Sequence, residues 1–204
     1  MPTSMTAREV WDSLTAGNER FATDATNAPH RDTKRRAEIL GGQDPVAAVI
    51  ACSDSRVPVE LLFDAGLGDI FVIRTAGGCV DAAVSASVEY AVDVLGVPLV
   101  VFLSHERCGA VGAAISAVDN AEVPRGLTRV FVEKIAPSVI EARSNGHSDA
   151  DAVEAEHARI MAQHLRTACR RSTRAGLALW LRGTGWRTAV SRPCTRPSVN
   201  RVGA

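Results

Sequence analysis

The chain has 204 residues, of which 46% are hydrophobic and 23% charged, and its 23 basic and 23 acidic residues balance to zero net charge. This length and composition are typical of one soluble globular domain, and no apolar run approaches the roughly 18 residues of a membrane-spanning helix. The first residues lack a secretory pattern and the five cysteines are an odd number, so we expect a cytoplasmic protein without a disulfide framework.

Charge is unevenly distributed along the chain. From Arg166 onward there are nine arginines and no acidic residue, whereas 14 basic and 23 acidic residues precede it. This basic segment has little aromatic interleaving and matches no binding module, so we expect no nucleic-acid partner. We interpret residues 1–183 as one domain and 184–204 as a divergent basic tail that we expect to be poorly ordered.

Helical and strand patterns alternate through the first half of the chain. A capping box at Thr6 begins an amphipathic helix over residues 7–22, which we expect to protrude as an arm, and a short helical piece lies at 34–40. Three continuously apolar runs follow, typical of strands covered on both faces. The runs are Val46–Ala51, Ile70–Ile73 and Leu99–Leu103, and the helical patterns between them are Val59–Phe63 and Asp81–Leu95.

Helical patterns resume after the third strand, at residues 110–118, 127–142 and 149 to about 171. We expect Pro137 to kink or restart the second of these helices. Leu177–Leu181 is the only plausible strand of the remainder, so we expect at most one edge strand after Leu165. The pattern predicts an α/β fold with a parallel sheet of about four strands, in the order 2-1-3-4, flanked by helices.

Thiol and imidazole side chains follow two of these strands. Cys52 lies just past the first strand, and His105 and Cys108 lie just past the third. Strands one and three are neighbours in a simple doubly wound sheet, and sites form at the carboxyl ends of such strands. Taken singly, each residue could be a buried cysteine or a loop histidine. Together, two thiolates and an imidazole are a zinc set with a fourth position open, which is the catalytic pattern.

These residues stand in motifs that resemble a known family. Cys52-x-Asp54-x-Arg56 followed by His105-x-x-Cys108 looks like the zinc signature of the β-carbonic anhydrases. The segments Asp69–Gly77 and Ser87–Val92 are also similar to that family. The resemblance extends from about residue 11 to about residue 164, and beyond about residue 165 the chain departs from the family pattern.

The resemblance implies a role for each matching residue. Cys52, His105 and Cys108 would bind one zinc ion per subunit. Asp54 and Arg56 would form a catalytic dyad, with Asp54 a possible fourth ligand in a closed state. The implied pocket for carbon dioxide is lined by Gln43, Phe71, Ala76, Tyr90 from the neighbouring subunit, and Gly109 beside the last ligand. A homodimer or homotetramer is implied, with the amino-terminal helix embracing the partner.

The implied activity is that of a zinc lyase, the reversible hydration of carbon dioxide to bicarbonate and a proton. A zinc-bound hydroxide would attack carbon dioxide while Asp54 orients it, and Arg56 would hold Asp54 off the metal. Two thiolates should make the bound water less acidic, so activity should rise toward alkaline pH. The alternatives are a non-catalytic zinc-binding homologue impaired by its altered carboxyl end, and a hydrolase of carbon disulfide or carbonyl sulfide with the same fold.

Other reactive residues favour ordinary structural roles. Cys79 is interpreted as a packed thiol. His157 and His164 lie seven apart on one helix face and could bind a metal or shuttle protons, but a packed or solvated helix explains them equally well. Arg74 matches a bicarbonate effector position of some family members, but Val49 stands where those members carry tryptophan, so we do not expect that regulation.

Overall fold

The computed structural model describes residues 5–168, 176–182 and 188–190. Its described strands form one sheet in the order β2-β1-β3-β4-β5. The strands are β1 (Ala47–Cys52), β2 (Ile70–Thr75), β3 (Leu99–Leu103), β4 (Gly176–Arg182) and β5 (Thr188–Val190). The first four pair in parallel, and β5 pairs antiparallel with β4. The predicted α/β class, parallel sheet and flanking helices are confirmed.

The predicted order 2-1-3-4 is found in the first four strands, and the predicted strand at 177–181 is β4. The expectation of at most one strand after Leu165 is wrong, because β5 adds a second. Its three residues are too few for an alternating pattern to be recognised in the sequence. The rest of the 184–204 segment, and with it the expected poor order, lies outside the described residues.

Seven described helices surround the sheet. They are α1 (Ala7–Ala22), α2 (Thr33–Glu38), α3 (Val59–Leu62), α4 (Ala82–Asp93), α5 (Gly109–Asn120), α6 (Arg129–Ser144) and α7 (Ala150–Ala168). The predicted restart at Pro137 does not occur, because α6 continues through it with buried residues on both sides. Tertiary packing here outweighs the single hydrogen bond that proline removes. None of the described helices is both long and apolar enough to cross a membrane.

The strands are apolar throughout because both faces of the sheet are covered. All six residues of β1 are buried, and successive side chains point to opposite faces. Ala47, Val49 and Ala51 join one apolar cluster with residues of α1, α3, α5 and α6. Ala48 and Ile50 join the other cluster, with residues of α4 and α7. The continuous apolar runs in the sequence therefore reflect a two-sided core.

The amino-terminal helix α1 packs on its own chain. Thr6 caps it through a capping box, and Val10, Trp11 and Leu14 are buried in the core. Asn18 Nδ2 donates to the Leu62 carbonyl at 2.8 Å. The helix was correctly predicted over 7–22, and one of its faces is covered within the subunit.

Candidate metal centre

The three predicted ligands converge at the carboxyl end of the sheet. Cys52 is the last residue of β1, while His105 and Cys108 follow β3, with Cys108 immediately before α5. Because β1 and β3 pair in parallel, with Ala51 opposite Leu103, their carboxyl ends lie side by side. The Cys52 Sγ, Cys108 Sγ and a His105 ring nitrogen all lie within 4.8 Å of one another, and all three residues are buried.

The two thiols share a hydrogen bond, with their Sγ atoms 3.9 Å apart. Cys52 Sγ also accepts from the Asp54 N–H at 3.4 Å and the Gly77 N–H at 3.3 Å. The Cys108 contact, together with these donors, lowers the pKa of Cys52 to about 4, and the same contact and burial raise the pKa of Cys108. These contacts favour the thiolate form of Cys52, and a bound cation would displace the remaining thiol protons of the pair.

His105 presents one ring nitrogen to this set. Its Nδ1 donates to the Glu106 carbonyl at 2.9 Å, which leaves Nε2 with a free lone pair. That Nε2 atom is buried and makes no hydrogen bond with any of the residues the structure describes. Two cysteine sulfurs and a buried imidazole nitrogen without a hydrogen bond fit a zinc ion, which takes Cys and His ligands.

Asp54 and Arg56 form an ion pair beside the ligand set. Arg56 Nε lies 2.9 Å from Asp54 Oδ1 and Nη2 lies 2.7 Å from Oδ2, and the Arg56 main-chain N–H also donates to Oδ1 at 2.9 Å. The Arg56 guanidinium therefore holds the pKa of Asp54 well below its usual range. Asp54 Oδ2 is 4.0 Å from His105 Nε2, so an ionised carboxylate lies against the candidate metal ligands.

Three further hydrogen bonds, donated by two arginines, hold the loop that carries Asp54. Arg74 donates to the Cys52 carbonyl at 2.9 Å and to the Asp54 carbonyl at 2.6 Å. Arg56 Nη2 donates to the Arg107 carbonyl at 3.0 Å, which joins this loop to the one between His105 and Cys108. The sequence drew attention to Arg74 only as an effector contact, whereas the structure shows it fixing the main chain of the site.

The residues predicted for the pocket fall into two groups. Ala76 stands immediately before Gly77, and Gly109 begins α5 directly after Cys108, so both lie beside the ligand set. Phe71, by contrast, pairs with Ala48 near the amino end of β1. Since Thr75 pairs with Cys52, Phe71 lies four residues, or roughly 13 Å, from the ligand end of the sheet.

Gln43 and Tyr90 belong with Phe71 and not with the ligands. Gln43 is an exposed residue preceding β1, at the end of the strand opposite to Cys52. The Tyr90 ring of α4 lies 6.2 Å from the Phe71 ring of the same chain and is 46% exposed. One subunit therefore does not bring Gln43, Phe71 and Tyr90 to its own metal set, and their contact with substrate stays a prediction.

Sequence reasoning missed Glu154 altogether and did not connect His157 with the site, and both residues lie on α7. Glu154 Oε1 accepts the Cys108 N–H at 2.8 Å, and burial raises the pKa of this carboxyl. His157 Nε2 lies 2.9 Å from the Gly77 carbonyl and its Nδ1 lies 3.0 Å from Ser138 Oγ. The histidine is packed, as one of the two interpretations held, but its contact with Gly77 has no signal in the sequence.

Comparison with known proteins agrees with this geometry. A family model described as carbonic anhydrase matches residues 47–176, which is more than half of the chain. Carbonic anhydrase 2 of Mycobacterium tuberculosis is 40% identical over 196 residues, covering 95% of each chain. The chain belongs to the carbonic anhydrase family. A carbonic anhydrase of Mycolicibacterium smegmatis is 49% identical over 148 residues, or 72% of each chain.

Solved structures of β-carbonic anhydrases share the fold of this chain. A Coccomyxa β-carbonic anhydrase has a TM-score of 0.65 at 21% identity, covering 91% of this chain and 83% of that one. One from Sordaria macrospora, described as tetrameric, has a TM-score of 0.63 at 21% identity, covering 90% and 96%. The fold is that of the β-class, as the sequence motifs implied. The sequence motifs implied a resemblance to the family only over about residues 11–164. The match to the Mycobacterium tuberculosis protein extends over 196 residues, or 95% of this chain, so the similarity continues into the carboxyl-terminal segment.

Proposed function

We propose that this protein catalyses the reversible hydration of carbon dioxide to bicarbonate and a proton, with one zinc ion held by Cys52, His105 and Cys108. Membership of the carbonic anhydrase family supports the reaction. The observation that carries the zinc assignment is the convergence of two thiols and a buried imidazole nitrogen within 4.8 Å. A zinc ion in such a set lowers the pKa of a water molecule and so supplies a nucleophile for hydration.

Asp54 would act on the reacting water as a hydrogen-bond acceptor. Its pKa is held well below the usual range by Arg56, so at neutral pH it is ionised and has no proton to donate. Its carboxylate lies next to the ligand set, with Oδ2 4.0 Å from His105 Nε2. Accepting a hydrogen bond there orients the water toward carbon dioxide, which lowers the entropic cost of reaction.

Arg56 would fix the direction in which Asp54 points. Both carboxylate oxygens of Asp54 accept from Arg56, and the pairing is bidentate. A carboxylate held in this way is kept from becoming a fourth ligand and closing the position that water needs. We therefore assign Asp54 a catalytic role and Arg56 a positioning role.

The complete pocket would form between two subunits. Gln43, Phe71 and Tyr90 lie at the opposite end of the sheet from the ligands of their own chain. If they line the carbon dioxide pocket, they must approach the metal set of another copy. The Sordaria macrospora β-carbonic anhydrase is described as tetrameric, which agrees with a homodimer or homotetramer here. Light scattering on the purified protein would measure the assembly, and a monomer that retains full activity would contradict this arrangement.

Stopped-flow hydration of carbon dioxide tests the function directly. We expect activity that rises toward alkaline pH, because two thiolates offset the charge of the zinc ion. A chelator should abolish this activity and added zinc should restore it. No turnover at any pH would instead identify a zinc-binding scaffold, and activity only on carbonyl sulfide or carbon disulfide would identify a hydrolase.

The three free thiols among the described residues agree with a reducing, cytoplasmic location.

A further inference from the structure

Helix α7 directs two polar side chains into the core beneath the metal set. Most of its inward residues are apolar, such as Val153 and Met161, but Glu154 is 5% exposed and His157 is 1% exposed. Burying a carboxylate or an imidazole is costly unless each finds a hydrogen-bond partner. Both find one, and in each case the partner is a main-chain group of a loop that forms the metal set.

Glu154 holds the main chain of a ligand. Its Oε1 accepts the N–H of Cys108 at 2.8 Å, across 46 residues of sequence. Cys108 is the residue before the first turn of α5, so the direction of its side chain depends on how the loop enters that helix. A hydrogen bond to this N–H restricts the entry, and with it the position of the Cys108 Sγ.

His157 acts on the other thiol, that of Cys52, indirectly through Gly77. The Gly77 carbonyl can only accept, so His157 Nε2 carries the proton and donates, and the Ser138 hydroxyl donates to Nδ1. Gly77 has a left-handed conformation, with φ +67° and ψ +7°, and its own N–H donates to Cys52 Sγ at 3.3 Å. Fixing the carbonyl of Gly77 therefore fixes the donor that contacts Cys52.

We propose that α7 positions both thiol ligands of the metal set, Glu154 through the main chain of Cys108 and His157 through the Gly77 N–H on Cys52. This inference rests on the proposed zinc site and extends it to a helix that carries none of the ligands. Groups that orient metal ligands commonly change metal affinity by about 10–100-fold when they are replaced. Glu154 and His157 are thus positioning residues, and neither needs to touch the substrate.

Zinc affinity and cobalt spectra test this role. In Glu154→Leu and His157→Phe the zinc affinity, measured by competition with a chromophoric chelator, should fall by about 10–100-fold. The absorption spectrum of the cobalt-substituted protein should shift, because the sulfur ligands move. Glu154→Gln keeps an acceptor oxygen and should restore nearly normal zinc affinity. Met161→Ala, a buried change on the same helix, should lower the melting temperature while leaving zinc affinity and the cobalt spectrum unchanged.

The outcomes separate this inference from the proposed function. If the unmodified protein binds zinc and hydrates carbon dioxide while Glu154→Leu and His157→Phe keep its zinc affinity and cobalt spectrum, only the role of α7 is refuted. If the unmodified protein binds no zinc, the proposed function and this inference fall together. If His157→Phe does not fold, Ser138→Ala tests the role of His157 instead, because it removes only the hydroxyl that contacts the His157 ring. It should weaken zinc binding in the same direction, and unchanged affinity would refute the role of His157.

Discussion

Replacing Gly77 by alanine perturbs the turn that places a main-chain donor on Cys52. Gly77 has φ +67°, and a Cβ added there would lie 2.8 Å from Ile135 Cδ1 and 3.2 Å from Ala110 Cβ. The left-handed conformation costs a residue other than glycine about 1–2 kcal/mol. Overpacking against a filled core adds about 1–3 kcal/mol. We therefore expect Gly77→Ala to lower the free energy of unfolding by roughly 2–5 kcal/mol.

Urea unfolding of the zinc-loaded protein measures this loss. Gly112→Ala is the matched control, because a Cβ at Gly112, within α5, has no neighbour within 4 Å. That change should stabilise the protein by about 0.5–1 kcal/mol, since alanine favours a helix over glycine. Ile135→Val removes the atom closest to the new Cβ, so the double variant with Gly77→Ala should lose less than the two single losses added together.

A small loss would refute this reasoning. If Gly77→Ala unfolds within about 1 kcal/mol of the unmodified protein, the turn accommodates a Cβ and Gly77 is not required there. If the double variant shows no coupling between residues 77 and 135, the overlap with Ile135 is not the source of the loss.

Three further predictions concern the site. The substitution Arg56→Ala removes both side-chain hydrogen bonds to Asp54 and leaves the one from the main-chain N–H. Carbon dioxide hydration should therefore fall about 100-fold or more while zinc is retained. Near-normal rates with bound zinc would contradict the dyad. Burial lowers the pKa of His157 in the folded protein. As the pH drops below about 6.5, this histidine becomes protonated in the unfolded chain before it does in the folded one. The free energy of unfolding should then decrease by up to about 1.4 kcal/mol per pH unit. Urea unfolding should show a shallower pH dependence in His157→Gln, and an unchanged slope would exclude this source. After zinc is removed with a chelator, iodoacetamide should modify Cys52 before Cys79. The reason is that the pKa of Cys52 is lowered to about 4 and that of Cys79 is raised to about 11. Peptide mapping that finds the reverse order would contradict these shifts.

The convergence of the three candidate ligands was predictable because it depends on strand ends. Buried parallel strands produce continuous apolar runs, and residues just past such runs gather at one edge of the sheet. Cys52, His105 and Cys108 obey this rule, whereas the roles of Asp54 and Arg56 were implied by the resemblance to the β-carbonic anhydrases. No side-chain detail was needed to bring the three residues together, since the main-chain topology alone does so.

Residues that act across the fold left no comparable signal. Glu154 and His157 occur in an amphipathic helix, where polar residues are expected, and the sequence does not show that these two face inward. Their partners are main-chain groups, which look the same at every position of a sequence. Pro137 shows the opposite case, because α6 does not restart at this local break signal but continues with buried residues on both sides. Local patterns thus predicted elements, but not the contacts between distant ones.

The bond between His157 and Gly77 joins positions 80 residues apart in the chain. During synthesis the Gly77 turn and the three candidate ligands emerge well before α7 does. Closing so long a loop carries an entropic cost, and contacts of this separation form slowly. An incomplete chain would therefore present two thiols and an imidazole without the helix that orders them. Tight metal capture would then be a late event in folding, timed by the arrival of α7.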